Sequence, residues 1–229
     1  MKTQFLTILV AIVFLTKMSI GQIQPVPSLN TTSFNTVERI SRQLENENML
    51  NNGKSIVGTP YLNKDYTSAV FYLKDQLTVE SLTRLNLYEQ HFEFKKDDNV
   101  FFVDPDLIDS VRFNSKLYVY KMLTDIGDLK KHVLEKVDDH KLYKLSTVVF
   151  KPEVQPGVYV DPKPARFEWG DPVYVLDVKH DYIILSNFNK LYKSFPEKKN
   201  ELKKFIKKHD IKKDDEKGLI LLIGYVENL

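Results

Sequence analysis

The chain of 229 residues has no cysteine. That excludes a disulfide scaffold, thiol catalysis and the lipidated cysteine of a bacterial lipoprotein. No serine stands in a Gly-x-Ser-x-Gly elbow, and no glycine loop of the phosphate-cradling kind is present, so two signatures of hydrolases and nucleotide-binding proteins are missing. The five histidines, His91, His132, His140, His180 and His209, include no pair at the three- or four-residue spacing that sets metal ligands on one helix face. Long apolar runs are scarce as well. The run from Phe5 to Thr16 has 12 residues, short of the ~20 that cross a bilayer.

What that run does suit is an export signal. Lys2 supplies the positive n-region, residues 5–16 the apolar stretch, and Ser19-Ile20-Gly21 the small-x-small pattern of a cleavage site. The mature chain is then expected to start at Gln22 and to lie in the periplasm, at the outer-membrane periphery or outside the cell. Losing Lys2 and Lys17 takes the basic count from 33 to 31, against 31 acidic residues. A formally neutral protein gives no reason to expect nucleic acid as a partner. Its 208 residues are enough for a core that needs no staples.

Residues 22–54 read as a flexible leader followed by a short helix, since Val37, Ile40 and Leu44 fall at i, i+3 and i+7. From 55 to 186 the texture is β-rich, in two sections at about 55–123 and 128–186. Strands are expected at 70–73, 85–88, 92–94, 100–103 and 117–120, then at 132–137, 142–150, 166–167, 174–178 and 182–185. Lys96 to Asn99 and Asn114-Ser115 read as hairpin turns. Phe92-Glu93-Phe94 alternates, which predicts one buried and one wet face. Five prolines between 151 and 172 predict a long loop or an edge there. Residues 187–229 turn helical. Ser194-Phe195-Pro196-Glu197 reads as a capping box, and Asp214 and Asp215 as caps of a last helix lined by Leu219, Leu222, Ile223 and Val226, which Gly224 weakens.

Chemistry-bearing residues are sparse. Asp104, Asp106 and Asp109 alternate as a hard-cation loop would, but Ile108, Asp109 and Ser115 stand where such a loop wants an oxygen ligand, a glycine and a glutamate. A turn at Asp104-Pro105 is the simpler reading. No metal or cofactor is expected. Between Lys190 and Lys217 there are 11 lysines and 6 acidic residues, so the helical tail is locally basic. Such a helix docks on an acidic partner or anionic lipid, or is the solvated side of a packed element. Among the aromatics, Trp169, Tyr159 and Tyr174 combine apolar area with a polar tip in or near the proline-rich stretch. With Lys203, Lys204 and Lys207 they are the binding candidates.

Gly58-Thr59-Pro60-Tyr61-Leu62, followed by Arg84-Leu85-Asn86-Leu87-Tyr88, Glu93-Phe94, Asp104-Pro105 and the lysine-rich run 198–208, resembles a group of exported proteins of Bacteroidota-type Gram-negative bacteria. Leu85 departs from the tyrosine usual there. The resemblance implies an envelope or exterior location and no catalytic residues.

The expected fold is α+β, mostly β, with two successive antiparallel sections closed by C-terminal helices. The expected function is non-enzymatic: binding another macromolecule, such as an outer-membrane or envelope protein, with peripheral membrane contact as a further mode. Two alternatives stand beside it. One is a glycan- or peptide-cleaving enzyme working through carboxylates such as Asp104 and Asp106. The other is a small-ligand or lipid carrier with an aromatic cavity of roughly 300 Å³ or more.

Overall fold

Alternation in the β-rich region becomes two antiparallel meanders, residues 67–103 and 108–145, joined edge to edge where Ile108–Phe113 pairs with Thr67–Leu73. The computed structural model describes residues 41–43, 56–96, 99–123, 130–137, 141–155, 161, 163–178 and 181–228. The strands are β1 (Ser41–Gln43), β2 (Thr67–Leu73), β3 (Thr78–Asn86), β4 (His91–Lys96), β5 (Asn99–Val103), β6 (Ile108–Phe113), β7 (Lys116–Met122), β8 (Lys131–Lys136), β9 (Leu142–Leu145), β10 (Val148–Lys151), β11 (Arg166–Trp169), β12 (Val173–Val178) and β13 (Asp181–Ile184). Helices α1 (Asn189–Ser194), α2 (Lys199–Lys208) and α3 (Glu216–Val226) follow. Eleven strands form one sheet in the order β1-β5-β4-β3-β2-β6-β7-β8-β9-β12-β13, while β10 and β11 pair apart from it. The expected α+β class is therefore what the chain adopts, with helices last.

Turn chemistry sets the register. Asn114 and Ser115 both take positive φ (50° and 63°) between the paired Phe113 and Lys116, the two-residue hairpin geometry that matches strand twist. Asp104 turns the chain between β5 and β6, its Oδ1 accepting from the Asp106 N–H at 2.9 Å. β6 itself was not foreseen: an acidic run hid a strand whose Ile108, Ser110, Val111 and Phe113 are buried.

The sheet curls twice, in opposite senses. Phe92 on β4 packs its ring 5.8 Å from Tyr118 on β7, and its N–H donates to the Tyr120 hydroxyl at 3.1 Å. Those strands are four steps apart, so a flat sheet at about 4.8 Å per step would hold them roughly 19 Å apart. Only curvature closes that gap. The enclosed core includes Phe71, Leu85, Phe92, Phe113 and Val111. On β7 the alternate residues Val119 and Lys121 face the other way. There Leu134, Leu145, Val175 and Ile184 cluster with Val119, and Lys121 reaches to 5.4 Å from the Tyr182 ring on β13. The two curls belong to one continuous sheet, while Val148 and Phe167 of the separate β10–β11 pair pack on the first core.

Helices close the second curl from its convex side. Leu191, Leu202, Ile206, Leu219, Leu222 and Ile223 pack on Leu142, Tyr174, Leu176 and Ile183, and Phe205 stacks on Tyr225 at 4.0 Å. Three local expectations are corrected. Ser41–Gln43 pairs with β5 as a strand where the spacing of 37–44 suggested helix, because three residues cost little to extend once a sheet edge offers hydrogen bonds. Ser194 closes α1, its hydroxyl donating to the Lys190 carbonyl, so no capping box opens α2. Asp215 does occupy the N-cap position of α3, but its side chain makes no capping hydrogen bond. The Cβ of an alanine at Gly224 meets nothing within 4 Å. Gly224→Ala is therefore expected to stabilise the fold by about 0.5–1 kcal/mol, read as a higher midpoint in thermal unfolding.

Candidate functional site

Tyr61, Arg84, Asn86, His91 and Glu93 converge on one spot. Arg84 and Glu93 are cross-strand partners on β3 and β4, as are Asn86 and His91, and period-two alternation puts all four on the sheet face away from the aromatic core. Arg84 Nε lies 3.0 Å from Glu93 Oε2 and its Nη2 lies 2.9 Å from the same oxygen. Asn86 Nδ2 donates to Glu93 Oε1 at 2.7 Å, and His91 Nε2 lies 3.0 Å from that oxygen. Over this group folds the segment 56–66. Tyr61 and Tyr66 hold the Arg84 guanidinium at 3.6 and 4.7 Å from their ring centres, and Arg84 donates to the Tyr61 hydroxyl at 2.6 Å.

That cover overturns the wet face expected beside Phe92 and Phe94. Glu93 is 1 % exposed, because a second layer lies over the strand. Burial alone would raise its pKa, but the hydrogen bonds from His91 and Asn86 and the nearby charges of His91 and Arg84 hold it below the usual carboxylate value. Gly58 has its own reason. Its φ of 86° and the Phe167 carbonyl 2.7 Å from where a Cβ would stand leave room for glycine alone. It lets Val57 bond β11 while Pro60 and Leu62 bond the end of β3. With both carboxylate oxygens of Glu93 engaged by neighbours, the group's chemistry is that of a staple. The i, i+2 spacing of Arg84 with Asn86 and of His91 with Glu93 was the signal available in the sequence.

A second polar row crosses four neighbouring strands on the opposite face: Tyr118, Glu135, Lys144 and Tyr174. A small cleft of about 10 Å³ lies beside it, lined by Leu62, Leu85, Leu87, Tyr118, Val133, Glu135, Lys144 and Ser146. This is below the size of ordinary small-ligand sites. Its charges are engaged at the rim, Glu135 by Lys116 at 2.7 Å and Lys144 by Glu216 at 3.8 Å.

The candidate binding residues do not gather in one place. Trp169 is 54 % exposed on the β10–β11 hairpin, which also presents Val149 and Val154 beyond it. Tyr159 lies outside the described residues. Tyr174 is a core residue instead of a surface one: it is buried, its hydroxyl donates to Glu216 Oε2 at 2.9 Å, and burial followed by that hydrogen bond raises its pKa. Lys203, Lys204 and Lys207 are exposed on α2, along with Lys199 and Lys208. Asp106 is exposed and pairs with Lys131, while Asp104 spends its carboxylate on the turn. Neither lines the cleft. Among the described residues, no group of three or more His, Asp or Glu is placed to hold a metal ion, and no helix is long and apolar enough to cross a membrane. Comparison with protein-family models, with curated proteins and with solved structures finds no match.

Proposed function

We propose that this is an exported, non-enzymatic protein of the cell envelope or exterior that acts by binding another macromolecule through the helical tail. The observation that carries this reading is the charge on α2. Leu202 and Ile206 face the core, and the outward arc holds Lys199, Lys203, Lys204, Lys207 and Lys208 with a single carboxylate, Glu201, which Lys198 engages at 3.3 Å. None of those five lysines has a carboxylate partner among the described residues. Lys199 and Lys203, Lys203 and Lys207, and Lys204 and Lys208 are like charges at i, i+4, an arrangement that weakens a helix by a few tenths of a kcal/mol per pair. A surface that costs stability and neutralises nothing inside the molecule suits a partner outside it. The export signal and the family resemblance belong to the same reading.

The test is to cross-link the native protein briefly in intact cells, solubilise the envelope gently, and identify what is recovered with it. Recovery at fixed stoichiometry with an envelope component is the expected result. Recovery of the free monomer alone would count against a protein partner, and absence of the protein from the envelope fraction before solubilisation would count against the reading as a whole.

A further inference from the structure

Resting on the binding role proposed for the tail, we infer that the partner of the α2 lysine surface is the anionic headgroup layer of a lipid membrane, met electrostatically and without insertion. The composition of the surface points that way. All 11 cations from residue 187 to the end of the chain are lysine and none is arginine. Protein interfaces favour arginine, whose planar fork pairs carboxylates two bonds at a time, and are depleted in lysine. A lipid headgroup layer asks for no such geometry; each lysine near it contributes on its own, about fivefold in affinity from roughly 1 kcal/mol.

The shape agrees. The lysines stand on the convex outer arc of a helix, where a broad, flat charged surface reaches several at once and a concave pocket is not needed. On the tail itself the aromatic rings that would anchor a protein contact are already engaged: Phe205 stacks on Tyr225 and meets His209 at a tilt, and Lys203 lies 5.6 Å over the ring of Tyr192. The apolar stripe of α2 is likewise consumed, with Leu202 fully buried and Ile206 8 % exposed. What α2 offers a membrane is charge without a greasy face. Binding is therefore reversible and weakens with salt as the Debye length shortens.

Sedimentation of the purified protein with vesicles of phosphatidylcholine, alone or with about one lipid in three replaced by phosphatidylglycerol, tests this. Binding is expected on the phosphatidylglycerol vesicles at low salt, to be absent on phosphatidylcholine alone, and to disappear in roughly 0.5 M salt. Lys203→Glu/Lys204→Glu is expected to lower the affinity by about 25-fold or more, from fivefold per lysine removed. Equal binding to both vesicle types, no binding to either, or an unchanged affinity in the double variant would overturn the inference. Failed vesicle binding with stoichiometric recovery of an envelope protein in the cross-linking experiment would sink the lipid assignment and keep the binding role. Failure of both would remove the role as well.

Discussion

Arg84→Ala is expected to destabilise the fold by about 3–5 kcal/mol, the cost of leaving a buried carboxylate without its cation. Glu93 is enclosed under the 56–66 segment, and the same guanidinium that neutralises it is held against Tyr61 and Tyr66. The substitution therefore removes charge compensation and loosens the covering layer together. Urea unfolding of the two proteins measures the difference; a loss under about 1 kcal/mol would mean that Asn86 and His91 satisfy Glu93 without help. The effect also carries a pH signature. In the native protein the Glu93 pKa lies below its unfolded value of about 4.3, so its contribution is complete above that pH and is lost as pH falls through the depressed folded value. Without Arg84 the folded pKa rises, and acid unfolding is expected to begin at a higher pH.

Phe92→Ala is expected to cost a similar 3–5 kcal/mol. Its ring meets Phe71, Phe113, Tyr118 and Tyr120 at centroid distances of 5.9, 5.5, 5.8 and 6.4 Å, three of them from strands on the far side of the first curl. Alanine would leave a cavity where the curled sheet meets itself, with Tyr120 deprived of the ring it packs on. Phe92→Leu should recover more than half of the loss, because it fills most of the space. Denaturant midpoints of the three proteins decide it. If alanine costs no more than a typical surface substitution, the first curl is not closed around Phe92. Against the 5–15 kcal/mol that holds ordinary domains together, either substitution is severe.

Much of the fold was legible because strand alternation and turn residues are local. Asn114-Ser115, Phe92 and Phe94, and the apolar spacing of Leu219, Leu222 and Ile223 all took the roles their neighbours in sequence imply. What escaped is non-local. Nothing near Glu93 says that residues thirty positions earlier will cover it, and nothing near Tyr174 says that α3 will bring Glu216 to its hydroxyl. Ser41–Gln43 has the spacing of a helix and the environment of a sheet edge, and the environment wins in so short a segment. The two senses of curl are equally silent, since alternation marks that both faces of β7 are needed but not which way each section bends. Of the binding candidates, the lysines were readable because a surplus of charge on a helix with a filled apolar stripe has to face outward.

On the proposed role, the α2 lysine surface serves a partner and not the fold. Lys203→Glu/Lys204→Glu turns three repulsive i, i+4 pairs into attractive ones, which offsets or exceeds the lost contact of Lys203 with the Tyr192 ring, for a net gain of about 0–1 kcal/mol, or up to about 2–4 °C in the thermal midpoint for a chain of this size. The most direct measurement takes that midpoint and the fraction of protein retained with the envelope from the same cells. An equal or higher midpoint with envelope retention lost is the predicted result. A lower midpoint with retention unchanged would contradict it, and would make these lysines part of the fold.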